Sequence, residues 1–153
     1  MSPIERVKEY LKKQKTKLEV IEFPEGATQT CELAAQALGV EPAQIAKTLL
    51  FVGKRINVLV VTCGDEKVDT KKLKEYFSDK FRFAKADEVE EVTGFPPGGV
   101  CPFALKNEIP IVIDKSISRF SVVYAAAGNA GSAVPVTAEQ LLEITQGQYL
   151  TVC

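Results

Sequence analysis

Residues 45–62, IAKTLLFVGKRINVLVVT, decide the fold. An apolar run ending at Val52 breaks at Gly53-Lys54, and a second run rich in Val and Leu follows from Ile56 to Thr62. Runs of this length and composition read as strands, and a glycine-led pair between them reads as a hairpin turn. The expectation is an antiparallel pair turning at Gly53-Lys54. Lys47 interrupts the apolar pattern at the start of the first strand. A lysine there either runs its stem to the surface or points its ammonium into a cleft, and the spacing leaves both open.

Working back from this hairpin, Val40-Glu41-Pro42 starts a short helical turn through Gln44 and Ile45. Thr30 is placed to cap a helix carrying Leu33, Ala34, Ala37 and Leu38, with Gly39 as its stop. Leu18–Phe23 alternates imperfectly between apolar and charged residues, as a half-buried strand does, and Pro24-Glu25-Gly26 ends it. At the start of the chain, Ser2-Pro3-Ile4-Glu5 is a capping box with proline at the first helical position. Ile4, Val7 and Leu11 then form one stripe, predicting a helix to about Lys13.

Forward of the hairpin, Asp69 caps a helix with Leu73, Tyr76 and Phe77 on one side, and Phe81–Ala84 is a short strand. Asp87-Glu88-Val89-Glu90 opens a helix that stops near Gly94. It delivers the chain into Thr93–Leu105, TGFPPGGVCPFAL. Two prolines with fixed φ followed by two glycines free to take positive φ hold such a backbone in an unusual path. That path can turn several N–H groups toward one oxygen, although a stiff turn without chemistry has the same composition. Ile109–Asp114 follows as a strand whose Pro110 argues for a start at a sheet edge. Phe120–Ala126 is another strand, running into a second glycine turn, Ala127-Gly128-Asn129-Ala130-Gly131. Ser132–Val136 is extended, Thr137-Ala138-Glu139-Gln140 opens a helix, and Tyr149–Val152 closes the chain as a strand.

These elements imply one mixed α/β domain over residues 1–153, α+β in class. Its expected frame is a mixed, mostly antiparallel sheet surrounded by helices. With 153 residues and 46% hydrophobic composition, the chain is long enough to bury a sizeable core. No apolar run approaches a membrane span and no signal peptide begins the chain, so a cytoplasmic protein is expected, with no membrane partner. The four cysteines are far apart and expected free. There is no histidine, which removes Ser-His-Asp and Cys-His catalysis and the usual imidazole zinc sites; no metal and no cofactor is expected. Net charge is −1, with 16 Lys and Arg against 12 Asp and Glu in residues 1–85, and 3 against 8 afterwards. That balance argues against a grip on duplex DNA and permits contact with one end of a nucleic acid.

Ile45 through Leu50, Val68 through Leu73, Thr93-Gly94-Phe95 with Gly98 through Pro102, and Val123 through Gly131 stand in a distinctive order. In that order they resemble the YbaK family, free-standing relatives of the editing domain inserted in bacterial prolyl-tRNA synthetases. The resemblance covers nearly the whole chain. It implies hydrolysis of the ester of a mischarged tRNA carrying a small amino acid such as Ala, Cys, Ser or Thr, commonly on proline tRNA. The implied partners are the tRNA acceptor end and prolyl-tRNA synthetase. By similarity, Lys47 would hold the phosphate or ribose of the terminal adenosine. The loop Gly98, Gly99, Val100, Cys101 and Pro102 would offer N–H groups to the ester carbonyl, with water as attacking species. Thr30, Phe51, Gly128, Asn129 and Gly131 are the expected substrate-binding residues, and Phe23 and Cys101 are further candidate walls. The inserted domains carry a histidine near the second glycine turn; here Asn129 is the nearest candidate to replace it. A nucleophilic Cys101 is disfavoured because no histidine can activate it. Two other readings stand beside hydrolysis: a non-catalytic aminoacyl- or nucleotide-binding module using the same cleft, and a thiol protein resting on the cysteines alone.

Overall fold

A computed structural model of the chain describes residues 1–24 and 30–153. In chain order its elements are α1 (Pro3–Lys13), β1 (Ile21–Glu22), α2 (Cys31–Leu38), a 3-10 turn (Pro42–Gln44), β2 (Ala46–Val52) and β3 (Asn57–Cys63). Then come α3 (Thr70–Phe77), β4 (Arg82–Phe83), α4 (Ala86–Thr93) and β5 (Ile111–Asp114). A second 3-10 turn (Lys115–Arg119), β6 (Val123–Ala125), β7 (Ser132–Val136), α5 (Ala138–Thr145) and β8 (Gln148–Leu150) complete the chain.

The mixed α/β class expected from the sequence is present, with its strands distributed over two sheets. Five strands run in the order β4-β2-β3-β5-β8, and three in the order β1-β7-β6. The predicted hairpin is the centre of the larger sheet, pairing Ala46 with Cys63 through Val52 with Asn57. β4 adds antiparallel to β2, whereas β5 and β8 add in parallel beyond β3. The smaller sheet is antiparallel throughout, and among the described residues an isolated bridge between Ile45 and Tyr124 joins the two.

β3 and β5 lie inside the larger sheet and are buried on both faces, so their sequences run apolar without alternation. Leu59, Val61, Cys63, Ile111 and Ile113 face one core with α1, α5 and the smaller sheet. Val58, Val60 and Val112 face a second core with Phe51, Leu73, Phe81 and Val152. Each such aliphatic side chain contributes about 1.5–3 kcal/mol by leaving water.

Three local expectations need correction. The hairpin turn is Lys54-Arg55, closed by the Gly53 N–H donating to Ile56 O at 2.8 Å. Gly53 precedes it because a Cβ there would lie 2.3 Å from Asp79 Oδ2. The Asp79 carboxylate accepts the N–H groups of Lys54, Arg55 and Ile56, and these bonds, Arg55's foremost, hold it below the usual carboxylate range. α4 begins after Lys85, whose N–H donates to Glu88 Oε1 at 2.8 Å, rather than at Asp87. Pro110 does not mark an edge: β5 is flanked on both sides, and Pro110 O accepts the Leu59 N–H at 3.0 Å just before pairing begins. The helices capped by Ser2, Thr30, Asp69 and Thr137 form as expected, because each cap side chain accepts an otherwise unpaired N–H of the first turn. The strand expected at Leu18–Phe23 shortens to Ile21–Glu22, and the turn at Pro24-Glu25-Gly26 lies largely outside the described residues. No helix among the described residues is long and apolar enough to cross a membrane.

Candidate functional site

A cleft of about 240 Å³ opens where β2 meets the smaller sheet, and its walls include Thr30, Cys31, Lys47, Thr48, Gly98, Val100, Tyr124 and Asn129. The bridge from Ile45 to Tyr124 forms its floor-side seam, since both residues line it.

Lys47, near the start of β2, lines this cleft. It pairs with Thr62 in register, and its ammonium donates to the carbonyls of Glu66 and Gly64, which follow directly after β3. Gly64 must be small there: a Cβ would lie 2.6 Å from Pro42 O and 3.2 Å from Cys31 Sγ. Lys47 lines the cleft, while the two carbonyls that take its ammonium, Gly64 and Glu66, lie outside the lining. Lys47 is also the one residue of formal charge among the described residues that line it.

The Pro/Gly loop contributes Gly98 and Val100 to the same lining. Pro96 and Gly99 close a turn, with the Gly99 N–H donating to Pro96 O at 3.0 Å and Gly98 at φ +87°. Proline second and a positive-φ glycine third is the chemistry of a type II turn. Among the described residues, the N–H groups of Gly98 and Val100 have no acceptor, and both residues line the cleft.

The second glycine turn packs directly behind the first. A Cβ on Gly99 would lie 2.7 Å from Asn129 Cα and 2.7 Å from Gly128 O. Gly128 takes φ +101° and abuts Pro3 on α1, where a Cβ would lie 2.8 Å from the carbonyl carbon. Asn129 Oδ1 accepts the Gly131 N–H at 2.9 Å, and Ser132 Oγ bonds the Ala127 N–H and Asn129 O at 2.9 and 3.0 Å. The side-chain oxygen of Asn129 is therefore part of its own turn.

The structure thus brings together Lys47, Gly98, Val100, Thr30 and Asn129, with Gly99, Gly128 and Gly131 supporting them from the turns. Thr30 does double duty, lining the cleft and capping α2 by accepting the Leu33 N–H at 3.1 Å. It does not bring Phe51, Cys101 or Pro102 to the cleft. Phe51 is fully buried in the second core, because alternation along β2 turns it to the opposite face from Leu50. Cys101 is fully buried in the main core, its thiol donates to Phe103 O at 3.6 Å, and burial pushes it up to about 12. Such a thiol stays protonated at neutral pH and is no nucleophile. Pro102, which has no N–H to offer, lines a separate groove of about 1120 Å³ between α1, residues 102–111 and α5.

Residues not singled out by sequence also line the cleft. Cys31, Ala34 and Leu38 present one face of α2, and their spacing signals a shared face without saying what it meets. Cys31 is half-buried, and burial raises its thiol despite the nearby Lys47 ammonium, which pulls the other way. Thr48 Oγ1 is buried in the wall with no hydrogen-bond partner among the described residues. Such an atom costs about 1–3 kcal/mol until something pairs with it.

A family model described as the aminoacyl-tRNA editing domain matches residues 25–144. The chain is 39% identical over 137 residues to the uncharacterized protein YwhH of Bacillus subtilis, covering 88% of this chain and 87% of that one. It is 30% identical over 122 residues to EbsC of Enterococcus faecalis, which is named as a candidate Cys-tRNA(Pro)/Cys-tRNA(Cys) deacylase, covering 78% and 74%. A solved structure described as a candidate trans-editing enzyme for prolyl-tRNA synthetase superposes with a TM-score of 0.93 at 32% identity, covering 99% of this chain and 97% of that one. With the Lys47 cleft and its two glycine turns in place, the chain belongs to the aminoacyl-tRNA editing domain family.

Proposed function

We propose that this protein hydrolyses the ester between a small amino acid and the terminal ribose of a mischarged tRNA, in trans, with proline tRNA as the leading candidate. The observation that supports the reading is that Lys47, Gly98 and Val100 line one small cleft, with no acceptor on the Gly98 and Val100 N–H groups among the described residues. An ammonium has three N–H donors; Gly64 and Glu66 take two, which leaves one for a phosphate or ribose oxygen. Water adds to the ester carbonyl, negative charge develops on its oxygen, the bond to the ribose oxygen breaks, and that oxygen takes up the proton. Unpaired N–H groups in the cleft lining could serve the developing oxyanion, and one such donor is worth about 3 kcal/mol. An aminoacyl ester is already activated, so positioning and oxyanion stabilisation suffice without a strong protein base. Among the described residues, the cleft lining offers no carboxylate, which fits a proton route through the substrate's own neighbouring hydroxyl. The size of the cleft favours a small side chain. The relation to prolyl-tRNA synthetase editing makes that synthetase the natural partner for delivery.

The test is deacylation of alanyl-, cysteinyl- and seryl-tRNAs by the wild type and by Lys47→Ala. The expected outcome is turnover of at least one small aminoacyl ester and a loss of about 100-fold or more in Lys47→Ala. No turnover on any of them would reject hydrolysis, and binding of an aminoacyl-adenosine analogue without turnover would assign the cleft to recognition alone.

A further inference from the structure

The cleft walls are held from behind by an element outside the matched residues 25–144: helix α1. Arg6 on α1 donates through Nη1 to Gly94 O at 3.3 Å, and through Nη2 to Thr93 O at 3.3 Å and Ala104 O at 2.7 Å. Its guanidinium also lies 4.6 Å from the centroid of the buried Phe95 ring. These contacts tie together the two ends of the segment that carries Gly98 and Val100. The Lys106 N–H, donating to Thr93 O at 3.1 Å, closes the same stem. Gly94, at φ +79°, is shaped around the guanidinium, since a Cβ there would lie 2.8 Å from Nη2. One turn earlier on α1, the Pro3 carbonyl fixes the space available to Gly128 in the second turn. A single helix therefore backs both glycine turns.

We infer that Arg6 is a positioning residue for the editing site: it does not touch the cleft but sets where the Gly98 and Val100 N–H groups stand relative to Lys47. The inference rests on the proposed deacylase reading. The geometry requires arginine rather than lysine, because three carbonyls and an aromatic face are met by one planar fork, and an ammonium is a point donor that cannot span them. A displacement of about 1 Å at reacting atoms costs on the order of 100-fold in rate. Arg6 variants are thus expected to lose kcat while KM, set largely by Lys47 and the tRNA, changes little.

The experiment uses the full chain, with Arg6→Lys and Arg6→Ala measured against wild type and against Lys13→Ala, an exposed change on the same helix. Steady-state deacylation of the best mischarged tRNA is followed with and without millimolar guanidinium, and amide exchange is recorded by NMR. The expected result is a fall in kcat of about 10–100-fold in both Arg6 variants, with KM within about threefold. Added guanidinium partly restores Arg6→Ala, and protection is lost at Lys106, which closes the stem, while Gly99 within its own turn and the amides of β3 keep theirs. Unchanged kcat with unchanged exchange overturns the inference. So does a loss that guanidinium does not restore, accompanied by faster exchange throughout the chain, since that is general destabilisation. If the wild type itself deacylates nothing, the deacylase reading fails and the exchange pattern decides the brace alone: loss confined to the Gly94–Lys106 stem supports it, and uniform loss or none overturns it.

Discussion

The two glycine turns of the cleft, Pro96–Gly99 and Gly128–Gly131, reach similar compactness by different means. The first is shaped by its own covalent chemistry: Pro97 fixes one φ, Gly98 takes the positive φ that the turn requires, and the Gly99 N–H closes it on Pro96. The second contains no proline and is shaped by what surrounds it. Side chains of Asn129 and Ser132 bond its backbone, and Gly128 is forced to be glycine by Pro3 more than a hundred residues away. A locally determined turn should survive loss of its neighbours, and a tertiary one should not.

The sharpest way to break this contrast is to fill the contacts that hold the second turn against α1 and against the first turn. Gly128→Ala adds a Cβ against the Pro3 backbone at positive φ, and strain together with overpacking should cost about 3–5 kcal/mol. Gly99→Ala presses on the Asn129 backbone without the φ penalty and should cost about 2–3 kcal/mol, with deacylation falling along with it. Denaturant midpoints measure both, and a Gly128→Ala protein as stable as wild type would refute the dependence on α1. Ser132→Ala should cost about 1–3 kcal/mol, because it leaves the buried Ala127 N–H unpaired, and its effect should localise to the second turn. Gly98→Ala is a gentler change. The nearest atom to its Cβ is that of Ala130 at 3.8 Å, so strain of about 1–2 kcal/mol is the main expected cost to stability, although the new methyl enters the cleft and should lower kcat.

The smallest effect on chemistry is expected from Cys101→Ala. With its thiol pushed up to about 12, Cys101 carries no thiolate at pH 7–9, so activity should stay within about twofold while a small cavity lowers the unfolding midpoint. Alkylation at pH 8 should label the half-buried Cys31 before Cys101. Rapid labelling of Cys101 in the native protein would show that the loop opens and that the first turn is less self-sufficient than its sequence implies.

Acid offers a further handle, remote from both turns. Arg82, together with the Lys85 N–H, holds Glu88 down to about 2 from an ordinary 4.5. Its contribution to α4 is present above pH 4.5 and is lost as pH falls toward 2; exposure and salt screening keep it small. Glu88→Gln should therefore flatten the acid limb of stability slightly without changing activity at neutral pH.

Part of the candidate cleft was legible from the chain because backbone-shaping residues line it. The prolines and glycines of Pro96–Gly99 announce a constrained backbone path, and Lys47 stands out in an apolar run although its two courses, surface or cleft, stayed open. The caps at Ser2, Thr30, Asp69 and Thr137 were readable for the same reason: each acts within three residues. Phe51 was misassigned because an apolar side chain on a strand signals burial but not which face of the sheet it meets. Cys101 looked like a cleft residue because it is adjacent in sequence to Val100, and adjacency says nothing about which side chain turns inward. Cys31, Tyr124 and Thr48 carried no local sign of what they would meet; they become cleft walls only where β2 meets the smaller sheet.

By itself, then, the sequence determined the antiparallel strand pair, the helix caps at Ser2, Thr30, Asp69 and Thr137, a constrained Pro/Gly path and an anomalous lysine, since each follows from φ preferences, capping and periodicity over a few residues. The division into two sheets, the packing of one glycine turn on the other, the partners of the Lys47 ammonium and the bracing by Arg6 were decided only in three dimensions. Those features depend on contacts across 17 to 125 positions of chain, such as Lys47 to Gly64 and Pro3 to Gly128, and no local propensity encodes them.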